Sequence, residues 1–182
     1  MSAVINLNEF RTKKHIPLVQ TPIEAPAPKI IRDRAKVKSS FNVMNGKSVE
    51  ETFHVKEYRV WRRYAETIFD REYFSSMEKS PDHLIFITGL VHSQKLLYLL
   101  LCEEFEFKYV PHGQEALKIW PTHVDVQMPR MVRKSKDLKQ RMWIHEIQNV
   151  GNNQYQVKLT SDYEGVIEIK STAAVFVLKE KA

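Results

Sequence analysis

The stretch Val91-His92-Ser93-Gln94-Lys95-Leu96-Leu97-Tyr98-Leu99-Leu100-Leu101-Cys102-Glu103-Glu104-Phe105-Glu106-Phe107 decides the fold. Its centre, Leu96–Cys102, is apolar at every position. Such a run suits a buried strand or a buried helix. Leucine without β-branching, flanked by Gln94-Lys95 and Glu103-Glu104, predicts a helix over 91–107. A helix that is apolar on all sides must be covered on all sides. The run is too short for a membrane. His92-Ser93-Gln94-Lys95 splits the apolar segment 84–102, and neither half approaches the roughly 20 residues that span a bilayer.

Upstream, Ser80-Pro81-Asp82 has the chemistry of a helix start: a capping hydroxyl, a proline suited to the first turn, and an acid facing the dipole. A second start is available near Thr88. Before it, Glu51–Tyr64 is rich in β-branched and aromatic residues and reads as a strand with imperfect alternation. Phe69, Tyr73 and Phe74 are spaced for a short helix within the connection 66–79. Downstream, 117–128, 140–150, 154–162 and 166–179 all read as strands. Gly151-Asn152-Asn153 and Tyr163-Glu164-Gly165 are tight turns between them, which force antiparallel pairing. The expected architecture is therefore α+β: one antiparallel sheet curled around one long buried helix.

Composition sets the outer limits. The 182 residues suffice for one domain and an extension. Pro17, Pro22, Pro26 and Pro28 rule out a long helix or central strand near the N-terminus. Residues 1–48 are therefore expected to be a proline-rich basic extension, and 49–182 the folded domain. A single cysteine, Cys102, excludes an internal disulfide framework and a cysteine-rich metal site. No leader pattern opens the sequence, so a soluble protein of the reducing cytoplasm is expected.

The net charge of +6 points to anionic partners. Most of the excess is concentrated in 129–141, where Arg130, Arg133, Lys134, Lys136, Lys139 and Arg141 face Asp137 alone. On a loop such a run can clamp phosphates, or it can be merely solvated. Arg59, Trp61, Arg62 and Arg63 would extend a basic aromatic face if the partner were nucleic acid, but no nucleic-acid motif is present.

Three features resemble the hotdog fold. One is Asp82-His83 through Thr88-Gly89 to Leu101-Cys102-Glu103-Glu104, similar to that fold's central helix and lead-in. The second is Val124–Lys134, similar to the strand and basic loop of acyl-thioester enzymes. The third is the closing pair 154–162 and 166–178. Within the superfamily the chain looks most like the type III long-chain acyl-CoA thioesterases, through Thr88-Gly89, and the A-factor-biosynthesis hotdog domains, through Asp82-His83.

The resemblance implies binding and hydrolysis of a fatty acyl thioester of coenzyme A or acyl-carrier protein. It also implies a homodimer or dimer of dimers, with no bound cofactor or metal. His83 and His92 are then the candidate water-handling residues, with Glu103 a further charge. Thr88 and Gly89 are helix-start donors for an oxyanion, and Arg130, Arg133, Lys134 and Lys136 meet the coenzyme A phosphates. His92, Lys95, Leu99, Glu103 and Glu106 share one helical stripe, yet His92 and Glu103 stand about 16 Å apart along it. The stripe is otherwise a solvated face. The chain lacks the Asp-x-x-Gly-His-x-Asn signature of the common thioesterases. A non-enzymatic acyl-binding or scaffold module is therefore the alternative.

Overall fold

The computed structural model describes residues 27–33, 36–43, 45–79, 82–111 and 114–178. Pro17, Pro22 and Pro26, His15, Ser80-Pro81 and His112-Gly113 lie outside the described residues, so the proposed capping serine is not among them.

Among the described residues, eight strands and one helix follow in order. They are β1 (Lys29–Ile31), β2 (Lys36–Asn42), β3 (Ser48–Trp61), β4 (Tyr64–Ser75), α1 (Phe86–Glu104), β5 (Leu117–Gln127), β6 (Leu138–Gly151), β7 (Gln154–Tyr163) and β8 (Ile167–Val177). All pairings are antiparallel. The sheet order is β1-β3-β4-β6-β7-β8-β5, with β2 also on β3. This is the hotdog arrangement, a curled antiparallel sheet around one helix.

The helix is buried where the sequence is most apolar: Leu96, Leu97, Leu99, Leu100, Leu101 and Cys102 are all in the core. Its first half differs. Ile87 and Val91 are 49% and 46% exposed, so α1 is not covered on every side. It begins at Phe86, later than the serine-proline signature and earlier than Val91. Ile85 stands at its cap without a side-chain hydrogen bond of its own.

Two expectations are corrected here. Phe69, Tyr73 and Phe74 belong to β4, not to a short helix, and Phe69 packs on Phe53 of β3 with ring centroids 4.5 Å apart. Polar residues at inward positions, Thr67 and Arg71, hide the strand's alternation. The basic arm also does not stay apart from the sheet: Lys29–Ile31 and Lys36–Asn42 pair with β3 through their backbones.

The imperfect alternation of β3 has a local cause. The register slips between Val55 and Glu57. Before it Val49, Glu51, Phe53 and Val55 face inward, and after it Tyr58 and Val60 do. One extra residue at Lys56 exchanges the two faces. The downstream hairpins match the sequence reading. Asn152 and Asn153 have φ of 52° and 57°, and Glu164 and Gly165 have 55° and 65°. Asparagine and glycine tolerate these left-handed values at little cost.

Candidate functional site

The N-terminal end of α1 is held by a buried ion-pair cluster. Glu51, on the inward face of β3, accepts the Ile85 backbone N–H on both carboxylate oxygens at 3.1 Å. Arg71, inward on β4, donates from Nη1 to Glu51 at 3.2 Å, and both side chains are fully buried. The other Arg71 terminal nitrogen reaches Asp82, whose side chain is 60% exposed. Arg71 also donates its backbone N–H to the Ser135 carbonyl at 2.8 Å, and the Leu84 N–H donates to the Val132 carbonyl at 2.8 Å. One arginine thus links β3, β4, the helix lead-in and the 128–137 loop. Burial pushes the Glu51 carboxyl up, opposed by the Ile85 N–H, the Thr88 hydroxyl and Arg71.

Next along the helix is a second polar cluster. Gly89 allows α1 to approach Tyr163 on β7, since a Cβ there would stand 3.4 Å from Tyr163 Cζ. Tyr163 Oη and Ser93 Oγ both donate to the Gly89 carbonyl, at 2.6 and 2.9 Å. Gln140 of β6 donates from Nε2 to Ser93 Oγ at 2.7 Å and to Ser161 Oγ at 2.8 Å. Ser161 in turn donates to the Arg141 carbonyl at 3.0 Å.

Ser93 and Ser161 form part of the wall of an apolar cleft of about 300 Å³ between the outer face of α1 and strands β5–β8. The helix supplies Ile87, Leu90, Val91 and Leu97, and the strands supply Ile119, Val124, Met142, Leu159, Ile169 and Ala173. Among the described residues, no lining side chain is a carboxylate or an imidazole. The cleft runs from Ile87 and Val124 toward Leu97 and Ile119. That direction follows because β5 begins beside Tyr98, whose hydroxyl accepts the Ala116 N–H at 3.1 Å. At the Val124 end β5 leads into the loop carrying Arg130 and Arg133, which passes the helix lead-in.

The sequence candidates fall in different places. His83 lies in the lead-in, half-buried, with its ring 6.5 Å from Tyr73. His92 faces away from the cleft. It is fully buried among Phe53, Tyr58 and Phe69, and neither ring nitrogen has a hydrogen-bond partner among the described residues. Burial, helped by nearby Lys95, holds its pKa down to about 3, so it is neutral at pH 7. The stripe it heads is not a solvated face, because Lys95 pairs with Asp33 at 2.7 Å and Leu99 is in the core. Glu103 is remote from the cleft, at the other end of α1, paired with Lys29 at 2.9 Å.

Thr88 is buried beside Glu51, and the Gly89 N–H is used inside the helix, donating to the Ile85 carbonyl at 3.1 Å. Of the expected oxyanion donors, the Gly89 N–H is therefore spent within the helix, whereas the buried Thr88 hydroxyl makes no hydrogen bond among the described residues. In the basic loop, Lys134 pairs with Glu164 and Lys136 with Asp70, at 3.2 and 3.4 Å. Arg130 and Arg133 are exposed, and no carboxylate among the described residues pairs with them. Of the basic aromatic face, Arg59 is neutralised by Glu57 and Glu66, while Arg62 and Arg63 lie beside Glu104. Among the described residues no group of three His, Cys, Asp or Glu could hold a metal ion. No described helix is long and apolar enough to cross a membrane.

The residues the sequence reading missed are Glu51, Arg71, Gln140 and Ser161. Each is a polar residue at an inward strand position, which is the signal that could have found it.

Fold and site together define a hotdog-fold protein with an apolar cleft along its central helix. No protein-family model matches the chain, and no curated protein does. Solved hotdog structures do resemble it. A thioesterase of Haemophilus influenzae, HI1161, is 14% identical, with a TM-score of 0.39 over 70% of this chain and 80% of that one. The Escherichia coli PaaI protein of the phenylacetic acid degradation operon is 5% identical, with a TM-score of 0.43 over 71% and 81%. A hot-dog-like protein of Thermanaerovibrio acidaminovorans is 11% identical, with a TM-score of 0.35 over 53% and 65%.

Proposed function

We propose that this protein binds a fatty acyl thioester of coenzyme A or acyl-carrier protein and hydrolyses it. The observation that carries the reading is the apolar cleft along α1, whose exposed lining residues Ile87, Val91 and Val124 lie toward the helix start, with Arg130 and Arg133 on the loop that follows β5. An acyl chain buries its methylenes in the cleft, each contributing about 0.8 kcal/mol. The phosphates of the carrier meet the two arginines, whose planar donors suit them. Asp82 and His83, in the lead-in before the first cleft residue Ile87, are the groups this reading assigns to handling water. Asp82 is exposed and tethered by Arg71. In the proposed step a water oxygen bonds to the acyl carbon and gives its proton to the carboxylate. The carbon–sulfur bond then breaks, and the leaving thiolate takes up that proton. The exposed Ile87, Val91 and Val124 suit cover by a second copy, in a homodimer or dimer of dimers.

One observation favours a second reading, an acyl-binding module without turnover: no carboxylate or imidazole lines the described cleft. A panel of acyl-CoAs of graded length separates the two. Thiol release that collapses in Asp82→Asn supports the enzyme. Thermal stabilisation by acyl-CoA without thiol release supports the module. Neither response would overturn both.

A further inference from the structure

The cleft is apolar except for a few hydroxyl and amide groups, and the bonding of two of them restricts what can satisfy them. The Ser161 hydroxyl gives its proton to the Arg141 carbonyl, and Ser93 gives its proton to the Gly89 carbonyl. Tyr163 gives its proton to that same carbonyl. With both serine protons spent, Gln140 must present its NH2 to the two serine oxygens, as it does at 2.7 and 2.8 Å. Tyr163 Oη also lies 3.3 Å from Ser93 Oγ, but its proton is given to the Gly89 carbonyl at 2.6 Å. Each serine oxygen therefore keeps one lone pair, and Gln140 Oε1, buried behind them, accepts from nothing among the described residues. This floor can accept hydrogen bonds and has no proton left to donate.

An acyl chain carries few groups able to answer that demand. Methylenes and double bonds cannot, and a keto oxygen only accepts. A hydroxyl donates. We propose that the cleft selects an acyl group bearing a hydroxyl, which donates to the paired oxygens of Ser93 and Ser161. The inference rests on the acyl-binding reading above and adds the chemistry of the chain. Ser93 is six residues beyond Ile87, about 9 Å along the helix axis, so the hydroxyl sits well inside the chain and not beside the thioester. Half-buried Ser171 and exposed Gln94 also line the cleft, and they leave the demand at Ser93 and Ser161 unchanged.

Selectivity of this kind arises because a site built around unpaired acceptors disfavours the ligand that leaves them unmet. A single neutral hydrogen bond corresponds to about a tenfold difference in affinity. The probes are non-hydrolysable thioether analogues of decanoyl-CoA, unsubstituted and with one hydroxyl moved stepwise along the chain, titrated calorimetrically. One positional isomer is expected to bind about tenfold more tightly than the unsubstituted chain. The gain should vanish in Ser161→Ala and persist in Ser161→Thr, which keeps the hydroxyl. Should Ser161→Ala fail to fold, Ser93→Ala provides the same comparison. Equal binding of all analogues would overturn the selectivity and leave acyl binding standing. A gain that survives in both alanine variants would overturn its assignment to these serines. If no analogue binds, the acyl reading falls and this inference with it.

Discussion

His92 makes the fold sensitive to acid by an amount the structure sets. Buried among Phe53, Tyr58 and Phe69, it is neutral in the native state, with its pKa lowered from the ordinary 6.5 to about 3. The unfolded chain takes up a proton near pH 6.5, and the native chain does so only near pH 3. Between those values the unfolded state binds more protons, so stability is full above 6.5 and falls as the pH drops. The loss attributable to this one group is about 2 kcal/mol at pH 5 and approaches roughly 5 kcal/mol near pH 3. Asp70, lowered to about 2 by Lys56, the Asp137 N–H and Lys136 despite some desolvation, adds to the loss only below its ordinary value of 3.8. Glu51, pushed up by burial, acts in the opposite sense as the pH falls, so the histidine's share is read from the difference between wild type and His92→Leu. Urea denaturation at pH 7 and pH 5 should show wild type losing about 2 kcal/mol more than His92→Leu between them. An equal pH dependence in wild type and His92→Leu would refute the reasoning, because the imidazole would then be reachable by protons in the folded chain.

Two further outcomes are expected. Glu51→Ala removes the buried partner of Arg71, leaving it only the exposed Asp82, and should cost about 3–5 kcal/mol in chemical denaturation, much of it recovered by Glu51→Leu with Arg71→Met. A loss below about 1 kcal/mol would mean that water reaches the pair. Arg130→Ala with Arg133→Ala should weaken acyl-CoA binding about tenfold and flatten its salt dependence, leaving binding of the free fatty acid unchanged. Equal weakening of both ligands would place the arginines' role in folding and not in phosphate contact.

How far the sequence could be read depends on the range of the forces involved. Leu96–Cys102 announced the buried helix because burial of a continuous apolar run needs no knowledge of the partner. The two hairpins were legible in Asn152-Asn153 and Glu164-Gly165 because left-handed backbone is a local demand. The inward faces of β3 were not, since a single inserted residue at Lys56 reversed the parity halfway along. β4 was obscured by Thr67 and Arg71, polar residues on an inward face.

The site followed the same division. The basic loop was visible as a run of charge, but which cations stay free was decided by Asp70 and Glu164, acids on β4 and in the β7–β8 turn. His92 looked available on a helical wheel and proved to be core, because only the curl of β3 and β4 shows which side of the helix is covered. Glu51, Gln140 and Ser161 acquire their meaning from partners far away in sequence, which no local pattern records.

The proposed function requires that the cleft along α1 take an acyl chain. It is tested most directly by titrating decanoyl-CoA thioether and free coenzyme A against wild type and Ala173→Phe, which fills the cleft from β8. The acyl chain is expected to strengthen binding by at least about a hundredfold over coenzyme A in wild type, roughly 3 kcal/mol from several buried methylenes. Ala173→Phe is expected to abolish this gain while binding coenzyme A as before. Acyl and free coenzyme A binding equally tightly to wild type, or an acyl gain that survives Ala173→Phe, would contradict the proposed function.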